Sequence, residues 1–274
     1  MKKYYKIIAV ILLCGLFASL FCGCINVGDL LSSDVSHSNE ASSLDSASLY
    51  SEGFKYKVNP GVKSCTITGV GTCKDTVLNI PPEIDGYVVT AVGGLFNSNR
   101  VTEVIIPNSV TKIENSAFAS CVNLTSVIIP NSVTEIGNNA FDCCSSLTGI
   151  TIPDSVTTIG GSAFSNCKNL TSITIPNSIT EISVWMFAYC ENLSNITIPA
   201  SITKIDLNAF IGCKKMSSII IPDSVTYVGS WAFSDCTSLA DVYYAGSEED
   251  WENISIGSYN EYLTETTIHY NYEK

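Results

Sequence analysis

The chain has 274 residues, 46% of them hydrophobic, with 14 Lys and Arg against 26 Asp and Glu and a formal net charge of −12 at pH 7. That acidity argues against nucleic acid or an anionic bilayer surface as a partner, because both are polyanions. A single arginine, Arg100, leaves little material for bidentate phosphate or carboxylate clamps.

In chain order, Lys2, Lys3 and Lys6 precede an uncharged apolar run from Ile7 to Phe21, and small residues follow at Gly23 and Cys24. This is the pattern of a secretory signal peptide. The run is shorter than the roughly 20 residues a membrane-spanning helix needs. Leu20-Phe21-Cys22-Gly23-Cys24 resembles the lipobox of bacterial lipoproteins, with Phe21 and Cys22 departing from it and Gly23-Cys24 matching. The resemblance implies lipid attachment at Cys24 and a lipid-anchored protein at the cell surface; ordinary cleavage nearby and secretion is the alternative. Residues 24–52, rich in Ser and poor in large apolar residues, are expected to be a disordered tether that holds a folded head clear of the membrane.

From Phe54 to Ile80, apolar and polar residues alternate around Gly69-Val70-Gly71, which predicts a hairpin. Cys65 and Cys73 flank that turn and are the candidate disulfide, since antiparallel strands can set two such positions opposite each other. A degenerate coil follows, from Ile80-Pro81-Pro82 to Val92 and Phe96.

From Pro107 onward the same residues return every 23 positions, with Pro107, Pro130, Pro153, Pro176, Pro199 and Pro222 in register with Phe118, Phe141, Phe164, Phe187, Phe210 and Phe233. A fixed period of this length predicts a solenoid, in which no unit buries its apolar face alone and the stack makes one core. In the unit from Leu124 to Ser146, Leu124, Val127 and Ile129 have the spacing of a short strand that points alternate side chains inward. Pro130 then sets a corner, and the Ser two residues on suits a bond to the turn backbone. Val133 and Ile136 return inward, Gly137 turns the chain, and Ala140, Phe141 and Cys144 predict a short helical or 3₁₀ segment. These residues resemble the BspA-like leucine-rich repeat family of bacterial surface proteins, from about Val101 to Leu239, with Met186 and Met216 as departures.

The resemblance implies a leucine-rich-repeat solenoid with short parallel strands on one face and helical or 3₁₀ turns on the other. The chain divides into a signal peptide (1–23), the tether (24–52), an N-terminal hairpin cap with the degenerate first repeat (53–100), the repeats (101–240) and a C-terminal α+β cap (241–274). In the last of these, Ser247 is placed to cap a helix starting at Glu248-Glu249-Asp250 that seats Trp251 on the final coil.

Six cysteines, Cys121, Cys144, Cys167, Cys190, Cys213 and Cys236, fall in one column. Side chains on successive coils run parallel rather than converging, so they are expected to be buried free thiols acting as small hydrophobes, with Cys143 facing solvent. No His accompanies the column to complete a metal site. His37 and His269 match no Ser or Cys nucleophile, Glu135 and Glu181 lie two coils apart, and no catalytic triad is visible. The expectation is a binding protein without enzyme activity, cofactor or metal.

On a solenoid, function is expected where columns vary. Trp185 and Tyr189 stand where other units carry Asn, Ser, Gly or Asp; Trp231 shares the Trp185 column, and Leu207 and Ile211 lie between. These five residues are the ligand-binding candidates for an extracellular protein or polysaccharide. A second candidate is the strand face, with its outward column of Ile105, Ile128, Thr151, Thr174, Thr197 and Ile220 beside Thr102 to Ser217. The family implies surface adhesion or ligand binding; the alternative is a self-associating envelope scaffold without a foreign ligand.

Overall fold

The computed structural model describes residues 49–95 and 97–273. The predicted signal peptide, Cys24, Phe96 and all but the last residues of the predicted tether lie outside them. The tether ends earlier than expected: Ser51 is buried, and its backbone N–H donates to the Asn79 carbonyl at 2.8 Å.

Each 23-residue unit makes one coil of a parallel β-solenoid. On the first side, three-residue strands stack in register, as Gly149–Thr151 does on Ser172–Thr174 and that on Asn195–Thr197. On the second side, two-residue strands do the same, through Lys112–Ile113, Glu135–Ile136 and Thr158–Ile159, then from Glu181–Ile182 to Lys204–Ile205 and Tyr227–Val228. Alternation along these short strands sends Ile136, Ile150, Ile159, Ile173 and Ile182 inward.

The third side departs from expectation. It contains no helical or 3₁₀ segment among the described repeat residues, only turns. A helix would spend all its N–H groups within the coil; here they alternate, Ala117, Ala119 and Cys121 donating three residues back to Glu114, Ser116 and Phe118, while Phe118, Phe141 and Phe210 donate along the axis to Ala140, Ala163 and Ala232 of the next coil, each of these last at 2.8 Å. The alternation comes from two left-handed residues per turn, such as Ser116 (φ 55°) and Ser120 (φ 58°). With all three sides bonded coil to coil, backbone polar groups in the stack find partners without helix.

The core is a set of columns. Phe118 to Phe233 are fully buried, and neighbouring rings stack at 5.1 to 5.8 Å. Each contributes about 1.5–3 kcal/mol by leaving water. At each proline corner the Pro carbonyl accepts a bond three residues on, as Pro130 does from Val133 at 3.1 Å. The Ser of that corner serves a different acceptor from the one predicted. Instead of its own turn, Ser132 Oγ bonds Val110 O of the preceding coil at 2.6 Å, and Ser155 Oγ bonds Val133 O at 2.7 Å.

The N-terminal hairpin has its turn elsewhere. Lys55–Val58 pairs antiparallel with Ser64–Gly69, so the reversal lies at residues 59–63, and Ser64–Gly69 then runs parallel to Tyr87–Val92. Gly69-Val70-Gly71 instead folds against Gly53: a Cβ on Gly71, whose φ is +53°, would stand 2.1 Å from the Gly53 carbonyl oxygen. No antiparallel strand therefore faces Cys65 across that turn. Cys65 and Cys73 are free and buried, correcting the disulfide expectation.

At the other end, Glu248–Glu252 is a helix capped by Ser247, with Asp250 completing a reciprocal capping box and Trp251 buried. Asp250 is held below its ordinary carboxylate pKa by the Ser247 hydroxyl and N–H. A last strand, Thr267–His269, pairs in parallel with Asp241–Tyr244.

Candidate functional site

The structure places the five candidates on the third side and its flanks. Trp231 is 40% exposed, Leu207 39% and Tyr189 36%, whereas Trp185 and Ile211 are half-buried. Trp185 and Tyr189 form a tilted pair with ring centroids 6.3 Å apart. Asn208, between the two tryptophans in their column, is 7% exposed, which makes it the floor of the patch.

One ring was not legible. Tyr259, half exposed, stacks on Trp231 with centroids 3.9 Å apart. The closing coil carries extra residues around the capped helix, so Tyr227 pairs with Ser255 and a search at period 23 walks past Tyr259. Aligning Gly229 with Gly257 would have found it.

The backbone under these rings is unusual for them. Trp185 (φ 59°), Tyr189 (φ 56°), Trp231 (φ 63°) and Tyr259 (φ 64°) are all left-handed. The same columns hold Ser116, Asn139, Ser162 and Asn208, and Ser120, Asn166, Gly212 and Asp235. Left-handed backbone costs an L-residue roughly 1–2 kcal/mol, least for Gly and Asn. Bulky rings there are a stability cost the neighbouring coils avoid. Gly212 also makes room, since a Cβ on it would meet the Tyr189 ring at 2.6 Å.

The strand face is flat. Ile128, Thr151, Thr174 and Thr197 are exposed, but its Thr hydroxyls are partly occupied. Thr125 and Thr171 donate to Thr102 O at 2.9 Å and Thr148 O at 3.1 Å. Along the proline corner a groove of about 430 Å³ passes Thr174, Thr197, Ile220 and Pro222 and ends at Tyr272. Tyr243 packs on Tyr272 and on His269, whose Nε2 lies 2.8 Å from Asp241 Oδ1.

The six column cysteines are free thiols, each donating to a backbone carbonyl of the preceding coil, as Cys144 does to Phe118 O at 3.2 Å and Cys167 to Phe141 O at 3.1 Å. Burial pushes their pKa values up, to about 11 for Cys121 and about 12 for Cys236. Such thiols are poor nucleophiles. Glu135 is ion-paired to Lys112 at 3.1 Å. Among the described residues no three His, Cys, Asp or Glu side chains group to hold a metal.

A family model described as BspA type leucine rich repeat region matches in six copies, over residues 93–217 and 134–263. No curated protein matches the sequence. Among solved structures, a leucine rich cell surface protein from Faecalibacterium prausnitzii is 33% identical over 70% of this chain and 53% of its own, with a TM-score of 0.60. This chain thus spans about half the length of that protein. A leucine rich repeat protein of T. pallidum is 28% identical over 68% of this chain and 88% of its own, with a TM-score of 0.61. One from Bacteroides ovatus, 23% identical over 80% of this chain and 70% of its own at a TM-score of 0.55, shows a likeness of fold alone.

Proposed function

Because the chain belongs to the BspA-type leucine rich repeat family, we propose that it is exported, tethered through a lipid on Cys24, and binds a protein or glycan outside the cell through its solenoid surface. The observation that carries this reading is the division of labour among columns. Pro, Phe, Cys and the corner Ser are consumed by coil-to-coil packing and bonding. What varies is concentrated around half-buried Trp185 and exposed Tyr189 and Trp231, bulky rings at left-handed positions that other coils give to smaller residues such as Ser and Asn. Exposed aromatic clusters are where binding energy gathers.

The test uses the full chain produced in a bacterial host that processes lipoproteins. Wild type is expected in the membrane fraction and Cys24→Ser in the medium, and the purified protein is expected to bind saturably to at least one immobilised matrix protein or glycan while sedimenting as a monomer. Self-association with no ligand in the panel would replace this reading with that of an envelope scaffold.

A further inference from the structure

Resting on the reading of the chain as a surface binding protein, we infer that the groove along the proline corner takes an extended basic segment of a partner protein, with two cationic side chains four residues apart. The groove, about 430 Å³, is lined by Pro176, Pro199 and Pro222, with Thr174 and Thr197 beside them and Tyr272 at its far end. No Lys, Arg or His lines it.

The position after each corner proline is where this groove departs from the repeat. Asn108, Asn131 and Asn177 hold that column elsewhere, whereas Asp154 and Asp223 replace Asn in two coils and Ala200 replaces it in a third. All three substituted positions are exposed and line the groove. Among the described residues neither Asp154 nor Asp223 has an ion-pair partner, whereas Glu135, Glu191, Asp206 and Asp235 are each paired with a lysine. The two carboxylates are therefore open to cations from outside the chain, and Ala200 leaves a gap between Asn177 and Asp223 beside the buried Pro176 and Pro199. The negative field also reaches inward: burial, with the charges of Asp250 and Asp223, holds the Tyr244 phenol above its ordinary pKa.

Spacing decides the class of ligand. Asp154 and Asp223 stand three coils apart in one column, about 14 Å at about 4.8 Å per coil. No single metal ion bridges that distance. An extended chain rises about 3.4 Å per residue and returns a side chain to the same face every second residue. Positions i and i+4, about 14 Å apart, thus reach both carboxylates, while i+2 faces the prolines and the Ala200 gap. Such a segment runs along the solenoid axis, across the strands, and makes no ladder with them. Its backbone polar groups meet the exposed side chains of Thr174, Asn177 and Thr197 instead. Arginine suits the two ends, since its guanidinium takes a carboxylate in two parallel bonds. An acidic segment would be repelled at both.

The experiment is fluorescence anisotropy of a labelled peptide, Gly-Arg-Thr-Val-Thr-Arg-Gly, titrated with the full chain at low ionic strength, beside a peptide of the same composition whose arginines are adjacent. Asp154→Asn and Asp223→Asn adopt the residue their column uses at Asn177, and Ala200→Asn fills the gap in the same way. Asp235→Asn, paired to Lys214 away from the groove, removes the same charge as a control. Wild type and the control are expected to bind the spaced peptide about fivefold or more tighter than the adjacent one, with each groove variant weakening it about fivefold and leaving Tm unchanged. No binding, equal affinity for the two peptides, or an equal loss in Asp235→Asn and the groove variants overturns the inference. A matrix protein or glycan bound equally by wild type and the groove variants, with neither peptide bound, overturns the groove assignment and leaves the surface-binding reading standing; no ligand of any kind overturns both.

Discussion

The column cysteines couple packing to pH. Each thiol is buried and donates a hydrogen bond to a carbonyl one coil back, so the folded state holds it protonated where the unfolded chain would not. Burial raises these pKa values above the ordinary 9.0, and for Cys167, Cys190 and Cys213 far above it. For an acid raised in the folded state, stability is fully present below the unfolded pKa and falls as pH rises beyond it, because only the unfolded chain releases protons. Each such thiol costs up to roughly 1.4 kcal/mol per pH unit once the unfolded thiol ionises, and six lie in one core. The urea midpoint is therefore expected to hold to about pH 8 and drop steeply above pH 9.0, with Cys167→Ala and Cys190→Ala each lowering stability at neutral pH but flattening the alkaline slope. A slope unchanged by those substitutions would show that other groups drive the loss.

Between elements, the corner serines form a ladder that has a missing first rung. Ser132, Ser155, Ser201 and Ser224 each bond a carbonyl of the coil before at 2.6 to 2.7 Å. Ser109 follows the atypical coil, where Glu83–Ile84 folds back on Tyr87–Val92, and its hydroxyl is the buried side-chain polar atom left without a partner among the described residues. Ser155→Ala is accordingly expected to lower unfolding free energy by about 1 kcal/mol, and Ser109→Ala to leave it unchanged or raise it, since the first loses a hydrogen bond and the second an unmet one. Equal effects in urea titrations would refute the ladder. Strands, corners and core columns were legible in the sequence because period and hydrophobic alternation encode them directly. The third side was not, because Ala-Phe beside polar residues reads equally as a helix or as turns, and the left-handed pairs that decide it sit at Ser116, Ser120 and their equivalents, residues common in both. The hairpin turn was misplaced because glycine marks a reversal and a close approach alike, and Gly71 serves the approach to Gly53. Of the aromatic patch, the rings in register with the repeat were legible and Tyr259 was not.

At the scale of the molecule, each coil contacts only its neighbours, so stability is expected to be close to a sum of unit and interface terms. Every inward column continues across a boundary drawn at any whole period. Removing Leu147 to Asn169 places Leu170 directly after Ser146, and in the shortened chain Phe187 would take the place of Phe164 beneath Phe141, Cys190 that of Cys167, and Thr174 that of Thr151. Nothing in the core loses its partner type, and the aromatic patch, which begins at Trp185, is untouched. Removing half a period, residues 147–158, has the opposite consequence: it sets proline corners against phenylalanine columns and turns buried Ile toward solvent. The whole-unit deletion is expected to unfold in one cooperative step with a denaturant slope smaller by about a tenth, in proportion to the surface it no longer exposes. The half-unit deletion is expected to lose cooperative unfolding altogether. If both deletions behave alike, the stacking of interchangeable coils does not hold this fold together, and the division between constant columns and variable exposed positions loses its physical basis.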